Sequence, residues 1–367
     1  MSLIFIFLDG VGLAPASPDN PLANADTPCL RALLGGPLTI EQATGMGDEG
    51  WELELRPHPP SPIPHPPPQL LFKPIDATLG VDGLPQSGTG QTALLAGVNA
   101  AELHGRHQPH VPPVALRVLL AERSIFRRVI ARGGRATFAN PFGPGYWQAV
   151  AARRIRRSAS VIAAEGAGLR FRDGDDLRNG RAVSWDVTNA AMRARDIEAP
   201  LVAPTQAGIH LARLAHDHDL VFYESFLPDL AGHGRLTTDP STPLRAGDRR
   251  PTTDDDGQLT NDQRPMTNDQ SSEADALSSF VLRAWSVETQ IQQAMALLDG
   301  LLGGALAALR PEDTLLITSD HGNVESIAAP THTRNPVPLL VVGPAARAFE
   351  SVTSIMEIAD MIDNVIG

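Results

Sequence analysis

The sequence predicts an α/β protein with a mostly parallel sheet and helices on both faces. Four apolar runs of strand length, Leu3 to Leu8, Leu220 to Phe226, Thr314 to Thr318 and Pro338 to Val342, read as strands buried on both faces. Helical patterns separate them: Thr27 to Leu34, Ala115 to Ala131, Gln206 to Ala215, Gln290 to Leu309 and Ile355 to Ile366. Acidic residues follow three of the runs, with Asp9 after the first, Asp229 after the second and Asp320 after the third. Open α/β sheets collect their ligands at such strand ends.

A chain of 367 residues can bury a full core, and one catalytic body fits it better than several modules. The net charge of −12 argues against nucleic acid or an anionic membrane as partner, since both need a basic surface. A small soluble substrate is expected; the sequence leaves the oligomeric state open. Cys29 is the single cysteine and cannot form an intrachain disulfide, so it reads as a small buried apolar residue. The run Leu3 to Leu8 has no basic lead and stops at Asp9-Gly10, too short for a signal peptide or a membrane span. A cytoplasmic location follows as the expectation.

Two stretches fall outside the expected packed body. Residues 56–68 are rich in proline and favour an extended loop without ladder bonds. Residues 235–276 are dominated by Thr, Asp, Asn, Gln and Pro, too polar to offset ordering entropy, and read as a disordered insertion.

Three carboxylates and three imidazoles carry the candidate chemistry. Asp320-His321-Gly322-Asn323 sits at the end of a strand, so two ligand types emerge in one turn. Asp229 and His233 are four apart and share a face if the segment is helical. His332 precedes a proline-fixed approach to the last strand, and Asp9 adds a further carboxylate. Singly, each reads as well as a cap or a packed residue; together, without thiolates, they suit two divalent ions, manganese or zinc better than magnesium alone. Three carboxylates against two dications leave about one positive charge, suited to a phosphate dianion.

Gly83 to Gly97 leads small residues into an apolar helix and places Ser87 at its N-terminus, a natural anion site. Capping alone explains a serine there. Beside the metal set, a nucleophile is the better reading.

Asp9-Gly10-Val11-Gly12, Asn20 to Pro28, the Ser87 segment, Pro228-Asp229 to Gly232-His233, Asp320-His321-Gly322-Asn323 and His332 to Pro338 resemble, in order, the motifs of cofactor-independent phosphoglycerate mutase. The resemblance to phosphopentomutase is looser. Both are metalloenzymes of the alkaline phosphatase superfamily. The resemblance implies an alkaline-phosphatase-like fold, with one metal held at Asp9, Ser87, Asp320 and His321, and a second at Asp229, His233 and His332. Ser87 is placed by counting back from Gly90-Gln91, which occupies the family's Gly-His pair; Thr89 is the fallback nucleophile.

The family inserts a long cap between nucleophile and Asp-x-x-Gly-His, whereas 141 residues separate Ser87 from Asp229 here. The expected organisation is therefore a discontinuous metal-binding core, 1–100 and 200–367, with a shortened cap at 101–199. A reduced lid admits water and weakens the mutase reading. Gln91 in place of His, and Glu224-Ser225 ahead of Asp229, also depart from the mutase pattern.

Within the expected cap, Arg153, Arg154, Arg156 and Arg157 share neighbouring helical faces and are candidates to clamp a substrate phosphate or carboxylate; a solvated face is the alternative. His104, His107 and His110 read as a polar loop before they read as ligands, and Asp186 and Asn189 as turn caps as well as pocket residues. The implied activity is phosphate transfer on a small phosphate ester through a phosphoserine, ending as a phosphomutase or a phosphatase. Phosphodiester, phosphonate or sulfate ester hydrolysis is a second reading. Sulfatase is disfavoured because Cys29 lacks the Pro and Arg spacing of that nucleophile. A silent metal-binding scaffold is the third, opposed by the complete ligand set.

Overall fold

The computed structural model describes residues 1–45, 69–193, 197–236, 286–329 and 331–367. Six strands, β1 (Leu3–Leu8), β2 (Leu70–Ile75), β3 (Ala136–Phe138), β4 (Leu220–Ser225), β5 (Thr314–Thr318) and β6 (Val337–Val342), form one sheet in the order β2-β6-β5-β1-β4-β3. β1 lies parallel between β4 and β5, and β3 runs parallel to β4. Every residue of β1, β4, β5 and β6 is buried, as continuous apolar runs require in a sheet covered on both faces. The predicted class, α/β with a mostly parallel sheet, is the observed one.

β6 pairs antiparallel with β5, and β2 antiparallel with β6. This reversal positions the site. Because β6 runs the other way, its entry, with His332 to Pro336 just before it, lies at the edge where β1, β4 and β5 end. β2 reverses again, so its exit at Ile75 returns to that edge and leads on to Ser87. Sequence pattern missed β2 because Lys73 and Pro74 interrupt its apolar run. Pro74 is tolerated on this edge strand, opposite Pro338, where neither residue supplies a donor.

The two faces carry separate cores. On one, Ile4, Ile6, Tyr223 and Ile317 meet the long Val287–Ala307 helix and the Pro204–Leu214 helix. On the other, Leu3, Phe5, Phe7 and Phe222 meet the Ser87–Ala96 and Ile358–Ile366 helices. The Val287–Ala307 helix also supplies a cap that no local pattern reveals. Thr27 makes no side-chain cap for the Pro28–Leu34 helix; instead Asp299 accepts from Cys29 N at 3.0 Å and Leu30 N at 2.7 Å.

Parts of the expected cap at 101–199 are built into the sheet and its cover. β3 extends the common sheet, and Phe126 from the Ile125–Ala131 helix packs edge-on to Phe222 with ring centroids 5.6 Å apart. Val161 and Ala163 from the Ala159–Gly166 helix are buried in the same core. A strand of three residues was too short to show in the sequence. The run from Ala115 to Ala131 is two helices, Arg117–Arg123 and Ile125–Ala131, split where Ser124 turns out of helical geometry and caps Arg127 N. The proline-rich stretch 56–68 and nearly all of the expected insertion 235–276 lie outside the described residues. Among the described residues no helix is long and apolar enough to cross a membrane.

Replacing Asp299 by alanine removes both acceptors from a helix start and should lower stability by about 1–2 kcal/mol. A thermal melt of Asp299→Ala against the wild type reads this; an unchanged midpoint contradicts the capping role.

Candidate metal centre

Strand alternation aims the first carboxylates. Asp9 follows Phe7 by two residues and Asp320 follows Thr318 by two, so both continue the face of the sheet that the Ser87–Ala96 helix covers. Asp9 N is fixed by Ser225 O at 3.0 Å, which ties the end of β1 to the end of β4. Asp229 lies on the short Leu227–Gly232 helix that follows β4, and its N–H donates to Asp9 O at 3.1 Å. The Asp229–His233 spacing thus does fall on a helical turn, with His233 Nε2 3.3 Å from Asp229 Oδ1.

The structure brings five of the six predicted side chains together around His321, with His233 beside Asp229 and His332. Asp9, Asp320 and His321 form one group with ligand atoms within 4.8 Å of one another, and Asp229, His321 and His332 form a second. His321 Nε2 lies 3.2 Å from Asp9 Oδ1, 3.7 Å from Asp320 Oδ1 and 3.0 Å from Ser87 Oγ. His332 Nε2 is 3.6 Å from Asp229 Oδ1, and its Nδ1 bonds Pro85 O at 2.8 Å, two residues before Ser87. The rings of His321 and His332 stack 3.7 Å apart. The division differs from the one the resemblance implies in that His321 is shared between the groups, while His233 borders the second through Asp229 and through the ring of His332, 5.5 Å away.

Burial is graded across the cluster. Asp320 and His321 are fully buried, whereas the side chains of Asp229 and His233 keep 19% and 21% of their exposure. The outer side is therefore where a substrate can approach.

Electrostatics follow this gradient. Burial, then the charge of Asp320, holds the Asp9 carboxyl well above its usual range, and burial raises Asp320 too. Burial opposes a charge on His321, but Asp320, Asp9 and Asp229 outweigh it and push the imidazole up to about 10. Burial also acts to raise Asp229, yet the bond from His233 and the surrounding imidazoles pull it below the usual carboxylate range. Burial and the neighbouring His321 charge lower His332 to about 4. The inner cluster thus carries excess negative charge that a proton on His321 relieves in part.

Three buried carboxylate oxygens here, Asp9 Oδ1 and both oxygens of Asp320, have no hydrogen-bond partner. The 3.2 Å approach of His321 to Asp9 Oδ1 is close but not directed as a hydrogen bond. Orphaned buried acceptors cost about 1–3 kcal/mol each, and more when charged. Their convergence with imidazole nitrogen is the donor set a divalent cation takes, so the residues fit a metal.

Ser87 begins the Ser87–Ala96 helix, with its hydroxyl on His321. Thr89, the fallback nucleophile, is fully buried and occupied: its Oγ1 donates to Gln86 O at 3.3 Å and accepts from Gln108 N at 3.2 Å. Gln91, one turn beyond Ser87, donates from Nε2 to Asp9 Oδ2 at 3.3 Å, which orients that carboxylate.

The arginine candidates do not share helical faces. Arg153, Arg154, Arg156 and Arg157 lie beyond the end of the Pro144–Ala151 helix, not on it, because the backbone leaves helical geometry with Arg153 at φ +56°. All four are exposed, and Arg157 pairs with Glu165 at 3.3 Å. His107 Nε2 approaches Val81 O at 3.3 Å, and no metal-ligand group among the described residues includes His104, His107 or His110. Asp186 is a turn cap, accepting from Ser184, Thr188 and Ala191 N, and Asn189 bonds Pro200 O.

Sequence reasoning gave Glu224 no role. It is buried on β4 and takes a bond from Ser160 Oγ at 2.5 Å. Burial, with Asp320 adding to it against the Ser160 bond, lifts its carboxyl to about 8.

Residues 287–365 match the sequence description of the Metalloenzyme superfamily. The matched stretch includes Asp320, His321 and His332, and it supports the resemblance to the alkaline phosphatase superfamily drawn from the motifs. Curated relatives include a phosphopentomutase from Limosilactobacillus reuteri, 45% identical over 53 residues, 14% of this chain and 13% of the relative. Another, from Symbiobacterium thermophilum, is 36% identical over 69 residues, 19% of this chain and 18% of the relative. The chain therefore spans under a fifth of the length of these relatives. Similar solved structures include the alkaline phosphatase of the Antarctic bacterium TAB5, at 11% identity and TM-score 0.40 over 100% of this chain and 98% of that one. The C-terminal periplasmic domain of EcEptC from Escherichia coli, in complex with zinc, gives 11% identity and TM-score 0.44 over 100% and 82%.

Metal uptake should release protons, because His321 must be neutral to ligate. Its imidazole, pushed up to about 10, is protonated at neutral pH, so affinity for Mn2+ should rise from pH 6 to pH 9. Calorimetric titration of the metal-stripped protein in two buffers of different ionisation enthalpy measures the release; an affinity flat across that range contradicts it.

Proposed function

We propose that the chain transfers the phosphoryl group of a small phosphate ester, with Ser87 as nucleophile beside two divalent cations. The observation that carries this reading is the convergence of the orphaned Asp9 and Asp320 oxygens on His321 and the Ser87 hydroxyl. Asp9, Asp320 and His321, with Ser87, would hold one cation, and Asp229, His332 and His233 the other. Manganese or zinc suits this mixture of carboxylate and imidazole. Bound there, the cations supply charge stabilisation for a transferring phosphoryl group and favour the deprotonated serine hydroxyl.

The protein's own groups do the positioning. Gln91 fixes Asp9, and the positive end of the Ser87–Ala96 helix dipole lies at the serine. Phosphate enters from the side of Asp229, His233 and His332, the partly exposed edge. Attack by Ser87 Oγ forms a phosphoserine and frees the substrate alcohol; transfer to water makes a phosphatase, and return to a bound alcohol makes a mutase. The phosphopentomutase matches favour the mutase end. Hydrolysis is favoured by β3 and the Ala159–Gly166 helix, which are built into the sheet and its cover and so are not part of a cap above the serine.

The test is an assay of manganese- and zinc-reconstituted protein over phosphoglycerates, pentose phosphates and an aryl phosphate. Ser87→Ala and Asp320→Ala should each lower turnover by on the order of 10³-fold or more. Phosphate release identifies a phosphatase, and isomer exchange without release a mutase. Full turnover in both variants rules the mechanism out.

A further inference from the structure

We propose that Glu325 is the positioning residue of the metal centre, a buried carboxylate that clamps the ligand-bearing loops at fixed separation and so sets cation affinity. The inference rests on the reading that cations bind at this site.

Glu325 is 1% exposed and receives four donors from two loops, the one after β1 and both ends of its own β5–β6 connection. Its Oε2 accepts from Gly12 N at 3.1 Å, on the loop that Asp9 begins, and from Asn323 N at 2.8 Å, just after Asp320-His321. Its Oε1 accepts from Asn335 Nδ2 at 3.0 Å and from the Thr333 hydroxyl, both on the loop that carries His332. Asn323 extends the clamp to the Leu227–Gly232 helix, donating from Nδ2 to Asp229 Oδ1 at 2.7 Å. Each loop that bears a candidate ligand is therefore one or two hydrogen bonds from this carboxylate.

Two glycines show that the loops close around it. A Cβ at Gly12 would overlap the Glu325 carboxylate, and a Cβ at Gly322 would overlap both Glu325 and the Thr333 hydroxyl. Neither overlap can be relieved without opening the clamp. All four donors are neutral: two backbone N–H groups, an amide and a hydroxyl. Side chains that hold metal ligands in place typically change affinity 10–100-fold when altered.

A residue that only braces the fold would change stability and leave cation affinity alone, which separates the two roles. In Glu325→Gln the backbone N–H groups of Gly12 and Asn323 cannot turn, so the amide oxygen stays with them and the new NH2 faces Thr333 and Asn335. Asn335→Asp in the same chain restores an acceptor opposite that NH2. The experiment is calorimetric Mn2+ titration of the metal-stripped full chain, with the thermal midpoint of each metal-free protein measured alongside.

Glu325→Gln should bind Mn2+ about 10–100-fold more weakly, and the Glu325→Gln/Asn335→Asp pair should recover most of that loss. If Glu325→Gln fails to fold, Asn335→Ala, which removes one donor, should still weaken Mn2+ binding several-fold. Affinity unchanged in the soluble variant overturns the proposal, as does a loss the paired variant leaves untouched. A wild type that takes up no Mn2+ overturns the metal reading itself; a wild type that binds normally beside an unaffected variant overturns the role of Glu325 alone.

Discussion

Negative charge gathered without water at the carboxyl edge of the sheet is the constraint from which the site's other features follow. Asp9 and Asp320 are buried side by side, with three of their oxygens lacking a partner, and Asp229 stands just outside them. Desolvated carboxylates this close are costly unless a cation or a proton compensates. A proton on His321 is the compensation the polypeptide provides by itself, and it is incomplete, because Asp320 keeps both oxygens unpaired. The same incompleteness makes the centre receptive to divalent ions. A set that was fully satisfied internally would gain little from a metal.

The sheet holds this charge in place through its central strands. β1 lies between β4 and β5 with every residue paired or buried, so the turns after these strands start from fixed points. The antiparallel β6 then returns the chain to the same edge, and His332 is delivered where a parallel strand would have carried it to the opposite end. Behind the serine, Thr89 is bonded to Gln108 and Gln86, which anchors the start of the helix and leaves Ser87 as the hydroxyl facing His321.

The aromatic packing of Phe5, Phe126, Phe138 and Phe222 ties β3 and the Ile125–Ala131 helix to the central sheet. Phe222 is shared by rings from three segments, so β3 and the Ile125–Ala131 helix could not be lifted away without opening the core. Glu224, two residues further along β4 on the same face, is the polar continuation of that ring stack towards the metal edge.

The clustering of the candidate ligands was legible in the sequence because most of them follow strand ends in short motifs, where residue type and strand alternation together fix the direction a side chain takes. Four of the six strands were equally plain, since continuous apolar runs have few other uses. What only the tertiary structure decided depends on partners far apart in the chain. Lys73 and Pro74 hid β2, and three residues were too few to show β3. The direction of β6 has no local signature. Asp299 caps a helix some 270 residues away, and Thr89 is excluded as nucleophile by its bonds to Gln86 and, across the fold, to Gln108. Nothing in the sequence marked Glu325, because a carboxylate reveals its partners only when the chain has folded around it. Residue type and spacing determine what a group can do; which neighbours remove its water, and so shift its charge, is set by contacts that sequence order does not encode.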